Sequence, residues 1–352
     1  MKERLESLDI LRGADMFLLL FLGPILRAVC KLCPEGLAWL APQLQHVRWE
    51  GFAVWDIIMP LFLFMSGITI PFSMAKYREG LRPDGKFYLK LLRRLFLLFF
   101  LGWIVQGNLL QWDWKMFHPF ANTLQAIAVG YVITALLFVH FKPKWQIVAA
   151  VVLFAAYWIA FACTGMNTNP QENVAMVVDK AVLGCHRDGV EWAADGVSWR
   201  FMKRYQYTWV LSSLNFAVTV LMGCFAGQLL RNSKSKPGFR ALFLAGIGIG
   251  LIVIGLLLNP LFPIIKKIWS STMTLYSGGI CFLLVALTYY IVDVLKWRKG
   301  LAWLKIYGMN AITAYVIGEL LRYDTLPQAI GNAVLVFVVL LIMYRKKVFL
   351  KV

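Results

Sequence analysis

A histidine and an aspartate stand ten residues apart where an apolar run begins. His46 and Asp56 lie in LQHVRWEGFAVWDIIMPLFLFMSG, residues 44–67. An imidazole can take a proton near neutral pH or carry an acyl group. An ionisable acid within hydrocarbon is costly, so Asp56 calls for a functional or pairing reason. If the helix starts slightly early, His46 and Glu50 share a helical face. Glu50 would then accept from one ring nitrogen and raise the basicity of the other. The plainer reading is an interfacial histidine with a solvated partner. Pro60 should kink the helix or free a carbonyl. Gly67 reads as a helix-contact residue.

Other polar groups interrupt apolar runs. Asp9, Arg12 and Asp15 follow one side of the first run, so Arg12 can pair with either acid. That cluster is either a neutral ion pair at the interface or a place where Arg12 meets an anionic ligand or Asp56. Gln106, Asn108 and Gln111 close the third run. Asn122, Gln125 and Tyr131 lie in the fourth, and Asn310 and Glu319 in the ninth. Singly, a buried amide is interhelical glue. Spread over five helices, such groups favour a polar cavity.

The elements that must position them are membrane helices. The chain has 352 residues, 60% of them hydrophobic and only 15% charged, against about 25% charged in soluble domains. Apolar runs near 8–28, 51–74, 91–111, 121–139, 145–163, 208–229, 239–258, 270–293, 300–321 and 328–345 predict an all-α, polytopic protein of about ten transmembrane helices. The first run is a retained span rather than a cleaved signal. Lys and Arg concentrate in loops 75–90, 140–144, 230–238 and 294–299, joined by Lys2 and Arg4 at one end and by Arg345, Lys346, Lys347 and Lys351 at the other. The positive-inside rule makes that side, with both termini, cytoplasmic. The net charge of +18 then reports topology and not a nucleic-acid partner.

The whole of 1–352 reads as a single membrane domain. Its long outer loop, 164–207, is expected to form an ordered cap. Trp39, Trp49, Trp112, Trp114, Trp199, Trp209 and Trp269 mark outer span ends, as interfacial aromatics do. Cys30 with Cys33, and Cys163 with Cys185, lie in outer loops either as disulfides or as thiols. No His/Cys set has zinc spacing, so no metal is expected. The chain has no Walker loop, GxSxG elbow, HExxH or dinucleotide fingerprint, and no obvious internal repeat. The last point counts against a glycan or glycolipid transporter or flippase, which is the alternative use of such a cavity.

The segments SLDILRG, HVRWEGFAVWDIIMPLFLFMSG, NTLQAIAVGY, IWSSTMTLYSGGICFLLVALTYYIVD, GMNAITAY and YRKKVFLKV occur in family order. Together they resemble the heparan-alpha-glucosaminide N-acetyltransferase family of transmembrane acyltransferases and its bacterial relatives. The resemblance implies acetyl transfer from cytoplasmic acetyl-CoA to an amino sugar or glycan across a bacterial inner membrane. It also implies a homodimer. The family's active-site histidine matches His46 and its acid matches Asp56. On this reading His46 is a general base or acetyl carrier. Arg12 and Arg93 or Arg94 meet the phosphates of coenzyme A. Gln125 or Asn310 stabilises the oxyanion. Trp49, Asn108, Asn122 and Trp269 face the acceptor. The family often has Asn where this chain has Glu50, and Asn where it has Gly23. A DPEG-like turn of fuller members is replaced here by YTWVLSSLNF.

Overall fold

The computed structural model describes residues 5–33, 35–202, 207–231, 234–321 and 325–350. Lys2, Arg4 and Lys351, counted above among the basic ends, lie outside the described residues, as does part of loop 322–327. The helices that matter here are α1 (Glu6–Leu32), α2 (Val54–Ser73), α3 (Gly85–Val105), α4 (Thr123–His140), α5 (Pro143–Ala162), α6 (Val174–Leu183), α7 (Ser213–Arg231), α8 (Pro237–Leu258), α9 (Ser271–Val294), α10 (Ala302–Met309), α11 (Ala311–Leu320) and α12 (Leu326–Arg345). One short hairpin pairs β1 (Val190–Trp192) with β2 (Trp199–Phe201), antiparallel. The chain is an all-α, multi-pass membrane protein.

Among the described residues, eight helices are long and apolar enough to span a bilayer: α1, α2, α4, α5, α7, α8, α9 and α12. Two of the ten expected spans differ. Helix α3 has 21 residues, but Lys86, Lys90, Arg93 and Arg94 occupy its first half. The run at 300–321 is broken at Asn310 into α10 and α11. Asn310 has φ −123° and ψ 33°, outside helical geometry. Helix starts carry the signals expected of them. Asp84 caps α3 and Asn122 caps α4. Ser270 caps α9, and Thr325 with Gln328 forms a capping box on α12.

The bundle is layered. Helices α2 and α7 are the most buried of the spans, while α5, α8 and α12 turn most of their surface outward. Glycines let α2 and α7 touch backbone to backbone. A Cβ on Gly67 would lie 1.9 Å from the Val220 carbonyl oxygen, and one on Gly223 would lie 1.9 Å from that of Phe64. This α2–α7 contact fixes the level at which α2 begins, and so the level of Asp56.

Segment 164–202, here called the cap, contains α6 and the hairpin. The Asp179 carboxylate accepts from the backbone N–H groups of Trp209 (2.7 Å) and Val210 (2.9 Å). Asp188 accepts from the Trp209 indole at 3.0 Å. The buried Arg187 donates to the carbonyls of Asp188 and Tyr207. At the other end of the bundle, Glu6 pairs with Arg298 and Lys305. Leu5 shares a cleft there with Lys76, Arg231, Arg240 and Lys296. Leu350 lines a cavity together with Arg12. Both ends of the described chain therefore lie on the face that carries the basic loops. All six cysteines are free thiols.

Gly67→Ala must force α2 and α7 apart. Overpacking of this kind costs about 1–3 kcal/mol, read as a lower melting temperature in detergent. Gly250→Ala is the control: its added Cβ meets open space and should leave melting unchanged.

Candidate active site

His46 is not on a helix. Residues 45–53 are irregular, Val54–Ile57 form a 3-10 turn, and the α-helix begins at Ile58. Pro60 falls in that first α-helical turn, where a missing N–H is tolerated, so no kink is required of it. The early helix that would have put Glu50 beneath His46 does not form, and Glu50 is exposed. Asp56 takes that place, with its Oδ1 2.7 Å from His46 Nδ1.

The Asp56 carboxylate is buried and fully used. Its Oδ1 also lies 3.3 Å from Lys266 Nζ. Its Oδ2 accepts from the backbone N–H of Ala53 at 3.0 Å and of Val47 at 3.5 Å. An oxygen pair facing four donors is the ionised acceptor, and this assigns the proton of the neutral imidazole to Nδ1. The lone pair is then on Nε2. Lys266 Nζ also stands 3.1 Å from His46 Nδ1. The two loops are tied together by the Gly51 N–H, which donates to the Ile264 carbonyl at 2.9 Å. Gly51 has φ 109°, a left-handed backbone that favours glycine.

Burial is the largest influence on His46 and lowers its pKa below the ordinary histidine value. Lys266 and Lys267 act in the same direction, and the Asp56 carboxylate resists. Burial likewise brings the Lys266 ammonium down to about 8, again against Asp56.

His46 keeps 41% of its side-chain surface open, and it lines a cavity of about 520 Å³. Trp55, Lys266, Gln106, Asn108 and Glu319 line the same space. The cap adds Asp188, with His118, Tyr207 and Trp209 beside it. A second cavity, of about 340 Å³, carries Arg12, Arg94, Ser66, Thr69, Ser73 and Tyr131. The two share Phe62, Thr123 and Tyr315 as lining residues. The two cavities therefore adjoin.

The remaining expected residues divide clearly. Arg12 and Arg94 both reach the second cavity, with the Arg94 guanidinium 3.8 Å from the centre of the Tyr131 ring. Arg12 lies 3.9 Å from Asp9 and not against Asp15, whose buried oxygens have no hydrogen-bond partner. Arg93, one residue from Arg94, is exposed on another side of α3 and lines neither cavity. Gln125 is buried and committed locally, accepting from the Ala121 N–H (2.7 Å) and donating to the Pro119 carbonyl (3.0 Å). It lines neither cavity. Asn122 spends its oxygen capping α4. Asn310 is buried at the α10–α11 break with both amide atoms unpartnered. Its neighbours Met309 and Ala311 line the second cavity.

On the acceptor side, Asn108 lines the first cavity, although its Nδ2 donates to the Met116 carbonyl at 2.9 Å. Trp49 does not line it; its indole donates to the Thr168 carbonyl and ties the His46 loop to the cap. Trp269 is buried behind the site, donating to Thr219 and packed edge-on to Phe216. Gly23 lies against Trp55, where a Cβ would come within 2.1 Å of the ring. Trp55 thus fills the space a larger residue would need. Lys266, Tyr207 and the cap's Asp188 went unnoticed in the sequence. The one available signal was the Lys266–Lys267 pair, set between apolar runs on the face otherwise assigned outside. Among the described residues, no group of His, Cys, Asp and Glu is placed to hold a metal ion.

No family model matches the chain. Heparan-alpha-glucosaminide N-acetyltransferase of Homo sapiens is 24% identical over 416 aligned positions, covering 99% of this chain and 60% of the relative. The Mus musculus protein of the same name is 23% identical, again over 99% of this chain and 60% of its own length. These are distant homologues of the chain. An uncharacterized Bacillus subtilis protein, YxaH, is 26% identical over 90% of this chain and 79% of its own length. The chain spans about 60% of the length of the two N-acetyltransferases. Their likeness supports acyl transfer in general.

Asp56→Asn should remove the counter-charge of Lys266 and turn an amide toward donors. Breaking a buried pair costs about 3–5 kcal/mol, so a clear fall in melting temperature is expected. Asp56→Asn combined with Lys266→Met should recover part of that fall, because no charge is then left unpaired.

Proposed function

We propose that the chain is an acetyl-CoA-dependent acetyltransferase that acetylates an amino sugar or glycan across the bacterial cytoplasmic membrane. The observation that carries the reading is the pair of cavities meeting at Phe62, Thr123 and Tyr315, with His46 in one and Arg12 and Arg94 in the other. Two guanidiniums suit the phosphates of coenzyme A. They lie on the face of the chain ends and basic loops, which the positive-inside rule assigns to the cytoplasm. The hydroxyls of Ser66, Thr69 and Thr123 and the aromatic rings of Phe62 and Tyr131 suit the polar and apolar parts of a pantetheine arm.

In the reaction His46 Nε2 takes a proton from the acceptor amine as its nitrogen attacks the thioester carbonyl. The carbon–sulfur bond breaks, and His46 returns the proton to the leaving sulfur. The products are the amide and free coenzyme A, so protons and electrons balance without a further reactant. Asp56 holds the ring with Nδ1–H directed away from the reacting centre. It also steadies the charge that the ring acquires. The cavity around Trp55, Tyr207 and Trp209 offers apolar faces to a sugar ring, and Asn108, Asp188 and Glu319 offer polar contacts.

Three outcomes are expected of the purified protein. Coenzyme A should raise the melting temperature, and Arg94→Ala should weaken that response. A glycan carrier has no reason to respond to coenzyme A, so an unmoved wild-type melt would count against the enzyme. His46→Ala should lower acetyl transfer by about 10²–10⁴-fold, the usual contribution of a general base. Full activity in folded His46→Ala would remove the histidine from the mechanism. Activity should fall as pH drops through the pKa of His46. Because burial lowers that pKa, the acidic limb should lie below about 6.5, the ordinary histidine value.

A further inference from the structure

In a simple His–Asp pair the carboxylate stabilises the imidazolium and makes the histidine a stronger base. Here a third group stands in the pair. The Lys266 ammonium and the His46 Nδ1–H converge on the same oxygen, Asp56 Oδ1, at 3.3 and 2.7 Å. Nζ and Nδ1 are 3.1 Å apart, and with the ring proton assigned to Nδ1 both present N–H groups to that oxygen.

We propose that Lys266 is a positioning residue that keeps His46 neutral. Its ammonium cancels the Asp56 charge and opposes a second proton on the ring. Lys266 is 8% exposed, so solvent does little to screen this effect. The other charged or titratable groups near the ring do not duplicate it. Lys267, on the same loop, adds to the positive field with a weaker effect. Tyr207, His118, Asp188 and Glu319 line the cavity, and none of them carries a positive charge that would add to that of Lys266 at neutral pH. Burial is the first cause of the downward shifts of both His46 and Lys266, and the Lys266 charge adds to the shift of His46.

A ring held this way gives up its second proton readily. In the proposed reaction that proton comes from the acceptor nitrogen and goes to the leaving sulfur, so Lys266 assists the second half of the transfer. Burial makes the Lys266 proton easier to lose; its loss would leave the Asp56 charge uncancelled and make His46 more basic.

The proposal takes from the preceding section only that His46 is the reacting base, and its test does not depend on acetyl transfer. Diethyl pyrocarbonate acylates unprotonated imidazole. Its rate at His46, followed by peptide mass spectrometry in the purified full chain, reads the titration of the ring directly. The wild-type midpoint should lie below the ordinary histidine value. Lys266→Met should move it up by about one pH unit, and Lys266→Arg should leave it in place. Lys266→Gln replaces the Met variant if that variant fails to fold, with the same upward shift expected. An unmoved midpoint in the neutral variants, or an equal shift in the Arg variant, overturns the proposal. Either result leaves acetyl transfer standing, whereas failure to bind coenzyme A would remove acetyl transfer and leave the titration result intact.

Discussion

A buried carboxylate in a membrane bundle must have every lone pair occupied, and Asp56 imposes this condition on four donors drawn from two loops. Its donors come from His46, from the Val47 and Ala53 backbone, and from Lys266 in a distant loop. Had a helix begun at Glu50, the Ala53 N–H would have gone toward helical bonding. The irregular path of residues 45–53 is therefore what leaves the backbone free to serve the acid. The late start of α2 and the placement of His46 follow from the same requirement.

The site depends on helix packing for its level and on loops for its chemistry. Close contact of Gly67 and Gly223 with the opposite backbone sets α2 against α7. Onto this rigid pair the loop 259–270 delivers Lys266, held by Gly51 and by a network around Ser270 and Thr272. The cap is moored to the same region. The Tyr157 hydroxyl and the Ser212 hydroxyl both bond the Ile268 carbonyl, and Asp179 and Asp188 grip Trp209. The irregular stretch that carries His46 is thus fixed from three sides by buried hydrogen bonds.

Much of this was legible in the sequence, and the reasons are specific. The helical class and most spans follow from uninterrupted apolar runs. His46 and Asp56 could be picked out because polar groups in apolar company are conspicuous. Arg12 and Arg94 were legible for the same reason. Sequence could not place the helix start to within one turn, so Glu50 was given the role that belongs to Asp56. It could not tell an amide that lines a cavity from one bonded at its own helix start, as Gln125 and the Asn122 oxygen are. Trp269 has the look of an interfacial ring but is buried, in a left-handed backbone turn. Lys266 is 220 residues from its partner, a pairing that only the fold creates.

The residues common to the two cavities have a further consequence. A protein hollowed from both faces risks becoming a leak, and a membrane that stores energy as an ion gradient cannot tolerate one. Phe62, Thr123 and Tyr315 carry no ionised group. Two aromatic rings and the hydroxyls of Thr123 and Tyr315 offer a passing ion little in exchange for its water. Such a lining disfavours the passage of sodium and potassium. The wall common to the two cavities is therefore electrically neutral as well as a meeting place.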